Sequence, residues 1–364
     1  MKVLITGGHI TPALAVADEL RNCEVIFVGR KYALSSDKSE SFEYKEIKKK
    51  GFEFINLSAG RLTRNLSLQT IMNILRTPPG FINAFAIIHK ERPDVVLSFG
   101  GYIALPVAFA AVLKRIPVIT HEQTIHPGSA NRFIGKIAKK IFVSFPEAKR
   151  YFPAQKVALS GNPIRAEVLK EIKKIPNFKK EKPVLFVIGG SLGSHDINTM
   201  IFKILPELLK NFTVIHQTGS ATEYGDDQEA KSLKDKNYFS FDHIESELMG
   251  FVYSQADLVI GRAGANTVFE ILACKKPSLL IPLPWSAFGE QQKHADYLRV
   301  LGVAEVFDQT EGSEKLLLYI SEMYGALEKY RKNFDTIKLS YDSTTAAKQI
   351  AQEVLANASQ PTSI

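Results

Sequence analysis

Residues 256–270 read ADLVIGRAGANTVFE, and this stretch decides the fold class of the chain. The apolar run before the first glycine is typical of a buried parallel strand. Gly261 and Gly264 allow a tight backbone turn after it. Thr267 and Glu270 then fit a capping box. In this motif the hydroxyl of the N-cap residue accepts from a backbone N–H group of the first helical turn, and the carboxylate three residues later accepts from the N–H group of the N-cap residue. The stretch therefore predicts a strand, a glycine turn and a helix N-terminus whose free N–H groups suit an anion or a sugar.

The same pattern opens each half of the chain. Residues 2–9 read KVLITGGH and lead into an apolar helix, and residues 184–193 read VLFVIGGSLG and lead into a second one. Strand–helix–strand units imply parallel strands joined by right-handed crossovers. The chain is therefore predicted to be an α/β protein with two doubly wound, Rossmann-like domains that face a central cleft.

The turn Gly161-Asn162-Pro163 closes the first set of strands, and the strand pattern restarts after a basic, proline-containing segment. A chain of 364 residues usually forms two domains. We therefore expect a first domain over residues 1–163 and a second over residues 164–343. A C-terminal helix, expected within residues 344–364, is predicted to pack back on the first domain.

Composition indicates an intracellular protein with an anionic partner. The formal net charge is +8 and the pI about 9.2, which favours a nucleotide, an anionic membrane surface or nucleic acid. Cys23 and Cys274 are far apart and fit reduced thiols better than a disulfide framework. No apolar run reaches the ~18 residues of a transmembrane helix, and the N-terminus does not resemble a signal peptide. We expect a cytoplasmic protein.

Several cofactor chemistries are disfavoured. Neither glycine turn is a full GxGxxG, and the acid expected after the second strand of a nicotinamide enzyme is replaced by Val28-Gly29-Arg30. Because Arg30 suits a 2′-phosphate, an NADP-dependent oxidoreductase stays an alternative. The sequence has no phosphate loop, no zinc-ligand spacing and no Asp-x-Asp, so no metal is expected. A diphosphate would then be held by backbone N–H groups, hydroxyls and arginine, with Ser191 at a helix start and Arg165 as candidates.

Seven motifs occur in order along nearly the whole chain: TGGHITPALAVA at 6–17, SFGGYIALP at 98–106, HEQTIHPGSANR at 121–132, SGNPIR at 160–165, GGSLGS at 189–194, RAGANTVFE at 262–270 and EQQKHA at 290–295. Together they resemble the MurG family, transferases that move GlcNAc from UDP-GlcNAc to lipid I and give lipid II for peptidoglycan. The resemblance implies a GT-B fold and an inverting reaction without metal or other cofactor. It also implies an undecaprenyl-diphosphate-linked acceptor, a peripheral place on the inner face of the cell membrane and no nucleic acid partner.

The resemblance also implies the donor site. Glu270 resembles the acid that holds the ribose hydroxyls, and Gln291 resembles the glutamine that contacts GlcNAc. The uracil is expected near residues 239–249, with Phe241 and Met249 as further candidates. The implied donor contacts are Arg165, Ser191, Ile244, Ala265, Glu270, Gln291 and Gln292.

On the acceptor side, His9 resembles the family's candidate base, and Glu122 is a second catalytic candidate. An imidazole suits this role because it titrates near neutral pH. His9 alternatively is a turn residue that bonds the backbone, and Glu122 a structural ion-pair member. The other implied acceptor-side residues are Gly7, Gly8, Thr11, Gly100, Gly101, Tyr102 and Thr124.

Three positions depart from the family pattern. The first glycine loop is short, Thr124 replaces an asparagine, and His294 takes the place of another. Glycines let backbone N–H groups approach a diphosphate closely. We therefore expect an ordinary donor site and a weakened or altered acceptor site.

Residues 66–90 are rich in Ile, Leu, Met and Phe. They are either a pair of core helices or an apolar patch that touches an anionic membrane. The flanking basic residues are Arg61, Arg64, Arg76, Lys90 and Arg92, and a second basic group is Arg132, Lys136, Lys139 and Lys140.

Other functions remain open at this point. They are a transferase of the same fold acting on another lipid acceptor such as diacylglycerol, a UDP-GlcNAc 2-epimerase, and a nucleotide-sugar-binding protein without turnover. The first interpretation remains a UDP-GlcNAc-dependent N-acetylglucosaminyltransferase.

Overall fold

The structure is a computed structural model that describes residues 1–32, 40–57, 77–221 and 223–358. Contacts within the chain divide it into two units. The first unit comprises Met1–Ile164 together with the C-terminal segment from Ser340, and the second comprises Arg165–Leu339. Each unit is built around one parallel sheet.

In the described part of the first unit, seven strands form a sheet in the order β3-β2-β1-β4-β5-β6-β7, and all neighbours are parallel. The strands are β1 (Lys2–Thr6), β2 (Glu24–Gly29), β3 (Glu53–Asn56), β4 (Val95–Ser98), β5 (Val118–Glu122), β6 (Lys140–Val143) and β7 (Val157–Leu159). The helices are α1 (Ile10–Glu19), α2 (Phe42–Lys49), α3 (Thr77–Glu91), α4 (Ala104–Leu113), α5 (Ser129–Ile137) and, at the C-terminal end, α13 (Ser343–Ala358).

Helices cover both faces of this sheet, and successive side chains along a strand pack against the helices of opposite faces. Val3 and Ile5 pack in one buried cluster with α1 and α13, whereas Leu4 packs in another with α3, α4 and α5. Successive strand side chains point to opposite faces, so a strand covered on both sides is apolar throughout. Ile350 and Val354 of α13 are completely buried against the first cluster, which places the C-terminal helix in the first unit.

The described part of the second unit repeats this plan with six parallel strands in the order β10-β9-β8-β11-β12-β13. They are β8 (Val184–Ile188), β9 (Thr213–Gln217), β10 (Tyr238–Phe241), β11 (Leu258–Gly261), β12 (Ser278–Leu280) and β13 (Ala304–Val306). The helices are α6 (His195–Asn211), α7 (Asp226–Ser232), α8 (Ser246–Gln255), α9 (Ala265–Cys274), α10 (Glu290–Val300), α11 (Ser313–Gly325) and α12 (Leu327–Thr336). The predicted α/β class with two doubly wound parallel sheets is confirmed.

The order of strands reverses beside the first strand of each sheet. β1 lies between β2 and β4, and β8 lies between β9 and β11. In open α/β sheets, ligands bind at the carboxyl ends of the strands at such a reversal. The glycine turns that follow β1 and β8 lie at these two points, so each unit has its candidate site there.

The structure corrects two predictions about helix starts. α9 begins at Ala265 with Gly264 as its N-cap, so Thr267 lies inside the helix and the capping box predicted with Glu270 is wrong. Tertiary contacts outweigh the local motif, because the Glu270 carboxylate is bonded elsewhere. Ser191 also does not start a helix, since α6 begins four residues later with Ser194 as its N-cap.

Part of the predicted apolar patch is outside the described residues. Of residues 66–90, the structure describes α3 from Thr77, and the preceding part lies outside, as do Arg61, Arg64 and Arg76. None of the described helices is both long and apolar enough to cross a membrane.

Candidate functional site

Two glycine turns lie side by side at the carboxyl ends of β1 and β4. The N–H group of Gly8 donates to the carbonyl of Gly100 over 3.2 Å. Gly7 has a φ of +141°, and a Cβ there would lie 2.7 Å from the carbonyl carbon of Phe99. Only glycine fits such a close approach of two backbones. The structure therefore brings together the predicted acceptor-side residues Gly7, Gly8, Gly100 and Gly101, next to the half-buried Tyr102.

His9 follows the first glycine turn and is the N-cap of α1, whose first turn contains Thr11. Its Nδ1 lies 2.7 Å from Nε2 of Gln123. Burial lowers the pKa of His9 to about 4, below the near-neutral value expected from the sequence, so the imidazole is neutral at pH 7. The His9 side chain makes no capping bond to α1, which leaves the ring to Gln123 and to a ligand.

Which nitrogen of His9 carries the proton depends on the Gln123 amide. The Gln123 Oε1 is buried without a hydrogen-bond partner among the described residues. A half-turn of the amide places this oxygen against Nδ1–H of His9, and Nε2 then bears the lone pair that a general base needs. This orientation satisfies the buried oxygen as well, so we adopt it.

Glu122 ends β5 and is buried, with 3% of its surface exposed. Its Oε1 accepts from the N–H group of Thr124 over 2.9 Å, and its Oε2 accepts from Nδ2 of Asn131 over 2.8 Å. Burial raises the pKa of the Glu122 carboxyl, and the bonds from Asn131 and Thr124 oppose this rise. Among the described residues, both oxygens are thus held by hydrogen bonds and not by an ion pair.

Thr124 also turns its side chain into this network. Its Oγ1 lies 2.9 Å from Oε1 of Glu122 and 3.0 Å from the carbonyl of His126. Asn131 in turn bonds the carbonyl of His121, so the segment after β5 is fixed to the first turn of α5. The network fixes the loop beside the glycine turns.

In the second unit, a cavity of about 430 Å³ lies at the carboxyl ends of β8 and β11. Cavities of this size hold small ligands. Its walls are the glycine turn after β8, the starts of α6 and α9, and the segment between β12 and α10. The residues that line it are Gly189, Gly190, Gly193, Ser194, His195, Asp196, Tyr224, Arg262, Gly264, Thr267, Leu283, Trp285 and Gln291.

Arg262 is the buried cation of this cavity. Its Nη2 donates to Oγ of Ser194 over 2.7 Å, and its Nη1 donates to Oε1 of Gln309 over 2.7 Å. Nη2 also lies 3.5 Å from Oδ2 of Asp196. Burial lowers the pKa of the guanidinium, while Asp196 opposes the change. Arg262 therefore joins the turn after β11 to the start of α6.

Glu270 is buried in α9, with 5% of its surface exposed. Its Oε2 accepts from the hydroxyl of Tyr253 over 3.1 Å, and its Oε1 lies 3.6 Å from Nη2 of Arg165. Burial raises the pKa of the Glu270 carboxyl, whereas Arg165 and Tyr253 lower it. Arg165 also donates to Oγ of Ser246 over 2.6 Å, so the predicted pair Arg165 and Glu270 is brought together.

Of the seven predicted donor residues, Gln291 lines the cavity. Its Oε1 accepts from the N–H group of Leu283 over 3.0 Å, so the amide N–H groups are what it presents to a ligand. Gln292 is exposed on the next position of α10 and bonds Asp296. His294, which takes an asparagine place of the family pattern, is buried and bonds the carbonyl of Ala263 through Nδ1 over 3.1 Å. Burial lowers the pKa of His294 to about 4.

The three remaining donor candidates are not among the residues that line the cavity. Ser191 is exposed in the glycine turn, and its carbonyl accepts from the N–H group and hydroxyl of Ser220. Ile244 is buried, and its N–H group donates to Oε1 of Gln217 over 2.9 Å. Gln217 also donates to the carbonyl of Gly190 over 2.9 Å, so one amide links two turns. Ala265 is the buried first residue of α9.

Several cavity residues were not among the site residues predicted from the sequence, including His195, Tyr224, Arg262 and Trp285. Arg262 stands inside the glycine motif at 261–264, and its charge between two glycines was an available signal. Trp285 is the single tryptophan of the chain and follows a Pro-Leu-Pro turn, where an apolar ring has little core to enter. His195 and Tyr224 carry no local signal.

Known proteins match both units. The N-terminal and C-terminal domain models of glycosyltransferase family 28 match residues 6–143 and 184–354. A Clostridium tetani protein named UDP-N-acetylglucosamine--N-acetylmuramyl-(pentapeptide) pyrophosphoryl-undecaprenol N-acetylglucosamine transferase is 36% identical over 345 residues, which cover 91% of this chain and 92% of the relative. The chain belongs to the MurG family of glycosyltransferases. The family resemblance drawn from the seven motifs is thereby confirmed.

Solved structures agree with the GT-B fold predicted for this MurG-family chain. The crystal structure of Acinetobacter baumannii MurG matches with a TM-score of 0.70 at 24% identity, covering 98% of this chain and 99% of that one. A UDP-GlcNAc 2-epimerase from Neisseria meningitidis, bound to UDP-GlcNAc, matches with a TM-score of 0.66 at 15% identity, covering 98% and 100%. The fold alone is thus common to transferases and epimerases, and the sequence identity favours the transferase.

Proposed function

We propose that this chain transfers GlcNAc from UDP-GlcNAc to the N-acetylmuramyl sugar of lipid I, an undecaprenyl-diphosphate-linked acceptor, and so makes lipid II. The observation that carries the proposal is the 36% identity over 91% of the chain to the clostridial enzyme. At that coverage the alignment includes both units, and the two matching family models, over residues 6–143 and 184–354, contain both glycine turns. The alternatives with the same fold lack this support.

Glu270 is the proposed ligand of the donor ribose. Its carboxylate is oriented by Tyr253 and Arg165 on opposite oxygens, so its position is fixed before a ligand arrives. A carboxylate accepts strongly from two neighbouring hydroxyls. The ribose is recognised by these bonds, and the Arg165 guanidinium opposes the rise in the pKa of the Glu270 carboxyl that burial causes.

Gln291 is the proposed contact to the sugar, with Gln292 beside it. Because the Gln291 oxygen is held by Leu283, its N–H groups are directed to hydroxyl oxygens of GlcNAc. The diphosphate lies against the starts of α6 and α9, where backbone N–H groups have no helical partners. Arg262 adds a fixed positive charge to the same cavity. These groups stabilise the charge that develops on UDP as it leaves.

His9 is the proposed base. The acceptor hydroxyl gives its proton to Nε2 of His9, its oxygen forms a bond to the anomeric carbon, and the bond to UDP breaks with both electrons going to UDP. One bond forms as one breaks on the opposite side, so the configuration inverts. Glu122 suits the role less well, since Thr124 and Asn131 occupy both of its oxygens.

An apolar surface on the first unit supports contact with an anionic membrane. α3, α4 and α5 cover one face of the sheet, and Phe81 of α3 packs edge-on against Phe109 of α4 at 5.7 Å. Six large apolar side chains on these helices are exposed, and we call them the α3–α5 patch: Ile82, Phe85, Phe109, Val112, Leu113 and Phe133. A group of exposed apolar residues on neighbouring helices is typical of a binding surface.

Basic side chains accompany the α3–α5 patch. Nζ of Lys114 lies 4.8 Å from the ring centre of Phe85, and Arg115 is exposed next to it. Arg132 and Lys136, two members of the second basic group, are exposed on α5. Each basic residue near an anionic leaflet adds about 1 kcal/mol of attraction. We therefore propose that the chain is a peripheral protein of the inner membrane face, where its lipid acceptor lies.

Turnover of UDP-GlcNAc by the purified chain tests the proposal. UDP release is measured with a lipid I analogue, without acceptor, and with diacylglycerol, and each reaction is repeated in EDTA. The proposal expects release only with the lipid I analogue and no loss in EDTA. Release with diacylglycerol instead would indicate a transferase of the same fold that acts on another lipid acceptor. Conversion of UDP-GlcNAc without acceptor would indicate an epimerase.

A further inference from the structure

A buried acid holds a histidine at the edge of the donor cavity. His195 is the first residue of α6, and its Nδ1 lies 2.8 Å from Oδ1 of Asp226. Asp226 is buried, and its second oxygen accepts from Nδ2 of Asn198 over 2.7 Å. Asn198 is itself completely buried and also donates to the carbonyl of Thr218. The carboxylate therefore cannot turn away from the imidazole.

This contact decides which nitrogen of His195 faces a ligand. An ionised carboxylate only accepts hydrogen bonds, so Nδ1 carries a proton. In the neutral ring, Nε2 then has a lone pair and no proton. The ring is also stacked on Tyr224, with centres 4.2 Å apart and planes at 15°, which fixes its plane. The side chain is 44% exposed and lines the cavity, and Nε2 is the nitrogen that Asp226 leaves to a ligand.

Both acidic and basic side chains lie near His195. Asp226 of α7 and the neighbouring Asp196 of α6 are acids, while Arg262 after β11 is the cation that lines the same cavity. Asp196 is held by Arg262 and Gln309, so its charge is offset within the wall. A diphosphate in the cavity brings new negative charge to the side of His195 that Asp226 does not occupy. Negative charge close to an imidazole favours its protonated form.

We propose that His195 is a further donor-binding residue, which takes up a proton at Nε2 when UDP-GlcNAc binds and then donates it in a hydrogen bond to the diphosphate. This inference rests on the proposed function, because it assigns the donor diphosphate to this cavity. A charge-assisted bond of this kind is shorter and stronger than a neutral one. It also gives the departing UDP a positive partner. Donor affinity consequently falls as the pH rises and the proton becomes harder to hold.

Proton uptake is measured by calorimetric titration of the full chain with UDP-GlcNAc in buffers of different ionisation enthalpy at one pH. The diphosphate of UDP-GlcNAc is a diester that does not titrate near neutral pH, so protons taken up come to the protein. The parent is expected to take up a substantial fraction of a proton per donor bound. Equal apparent enthalpies in all buffers would overturn the proposal.

Two substitutions separate the Nε2 contact from the fold. In His195→Asn, the amide N–H group stands in for Nδ1 toward Asp226 but nothing replaces Nε2, so we expect no proton uptake and affinity about 10-fold weaker or more. In His195→Lys, a permanent charge replaces the imidazolium, so affinity is largely kept and proton uptake is lost. Undiminished uptake in either variant would overturn the assignment. His89→Asn, at an exposed position of α3, is the matched control and is expected to behave as the parent.

Trp285 provides a second readout of the same event. It is the single tryptophan of the chain, lines the cavity and is 70% exposed, so its fluorescence reports donor binding directly. Affinities measured this way should decrease with rising pH in the parent and change much less in His195→Lys. The proposed function is tested apart from this, by transfer to the lipid I analogue. If the parent transfers GlcNAc to the analogue but takes up no more protons on donor binding than His195→Asn does, the proposed function stands and the role assigned to His195 is wrong.

Discussion

The side-chain amide of Gln123 lies 2.7 Å from Nδ1 of His9, and this contact joins the segment after β5 to the start of α1. The two residues are 114 positions apart in sequence. A buried amide beside an imidazole selects its tautomer, because only one arrangement pairs the N–H group with the oxygen. With the Gln123 oxygen turned toward Nδ1–H, as in the orientation adopted above, Nε2 of His9 carries the lone pair that receives the proton of the acceptor hydroxyl.

Replacing His9 with alanine should reduce kcat by about 100-fold or more, because general base catalysis typically contributes that much. The donor affinity should stay unchanged, since His9 belongs to the first unit and the donor cavity to the second. Steady-state kinetics with a lipid I analogue and calorimetry with UDP-GlcNAc measure the two quantities. His89→Ala, at an exposed position, is the control. An unchanged kcat would move the base to another residue.

Thermal stability should fall on acidification, because buried histidines resist protonation. His121 and His216 are almost completely buried, and burial lowers the pKa of each to about 3. Above pH 6.5, both folded and unfolded chains keep these rings neutral. Between pH 6.5 and about 3, the unfolded chain binds protons that the folded chain does not, so stability is lost as the pH falls. Each ring contributes up to about 1.4 kcal/mol per pH unit in this window.

Glu122 and Glu270 act in the opposite direction, because a raised pKa in the folded state adds stability as the pH falls. The histidine effect is therefore isolated by comparing variants. His216→Asn should reduce the slope of the melting midpoint between pH 7 and pH 5, although it also lowers the midpoint at pH 7. The exposed His89→Asn should change neither. Equal slopes in the parent and in His216→Asn would contradict the prediction.

Much of the fold was predictable because its signals are local. A short apolar run followed by a glycine turn and a helix predicted β1, β8 and β11 with their turns, and the repetition of this pattern predicted two parallel sheets. The sequence assigned the glycines to tight turns and to close approach of the backbone to a diphosphate, and at Gly7 the structure shows a close approach to the backbone of Phe99.

The rest of the site could not be predicted, because it depends on contacts between distant residues. Arg262 bonds Ser194 from 68 positions away, and His195 finds Asp226 from 31 positions away. The predicted capping box at Thr267 failed for the same reason, since Tyr253 and Arg165 bind the Glu270 carboxylate. Local sequence patterns predict which helix, strand or turn carries a residue. The partners of its side chain depend on how these elements pack together.

Membrane binding should depend on both parts of the α3–α5 patch. Ile82→Glu places a charge where a side chain 69% exposed would enter the lipid, so binding to vesicles of anionic phospholipid should fall strongly. Binding should also weaken with added salt, because surface charges are screened. Vesicle sedimentation measures both effects. Leu318→Glu is the matched control, as Leu318 is similarly exposed but lies on α11 of the second unit. Equal binding by both variants would remove the patch from the interface.

Thr124→Asn tests the altered acceptor side. The single hydroxyl proton of Thr124 is directed to Glu122 or to the carbonyl of His126, which leaves no donor for an acceptor substrate. An asparagine has a carbonyl and an NH₂ group, so it can bond Glu122 and still reach a ligand. We expect Thr124→Asn to lower KM for a lipid I analogue without changing donor affinity. A higher KM would show that the threonine is adapted to this chain's own acceptor.

Glu270→Gln tests the donor site against its supporting contacts. Glutamine keeps an oxygen for the Tyr253 hydroxyl but loses the charge that faces Arg165 and the ribose. Hydrogen bonds to charged groups contribute about 1.5–3 kcal/mol, so affinity for UDP-GlcNAc should fall roughly 10- to 100-fold.

Tyr253→Phe is the matched control for Glu270→Gln. It removes the buried hydroxyl that bonds the carboxylate, so the melting temperature should fall, but the acid itself remains for the ribose. Calorimetry with UDP-GlcNAc and thermal melting of both variants separate the two effects. Affinity losses that simply follow the losses in melting temperature would make Glu270 a structural residue. A selective loss of affinity in Glu270→Gln would identify the ribose ligand, because only that variant removes the charge and keeps the packing.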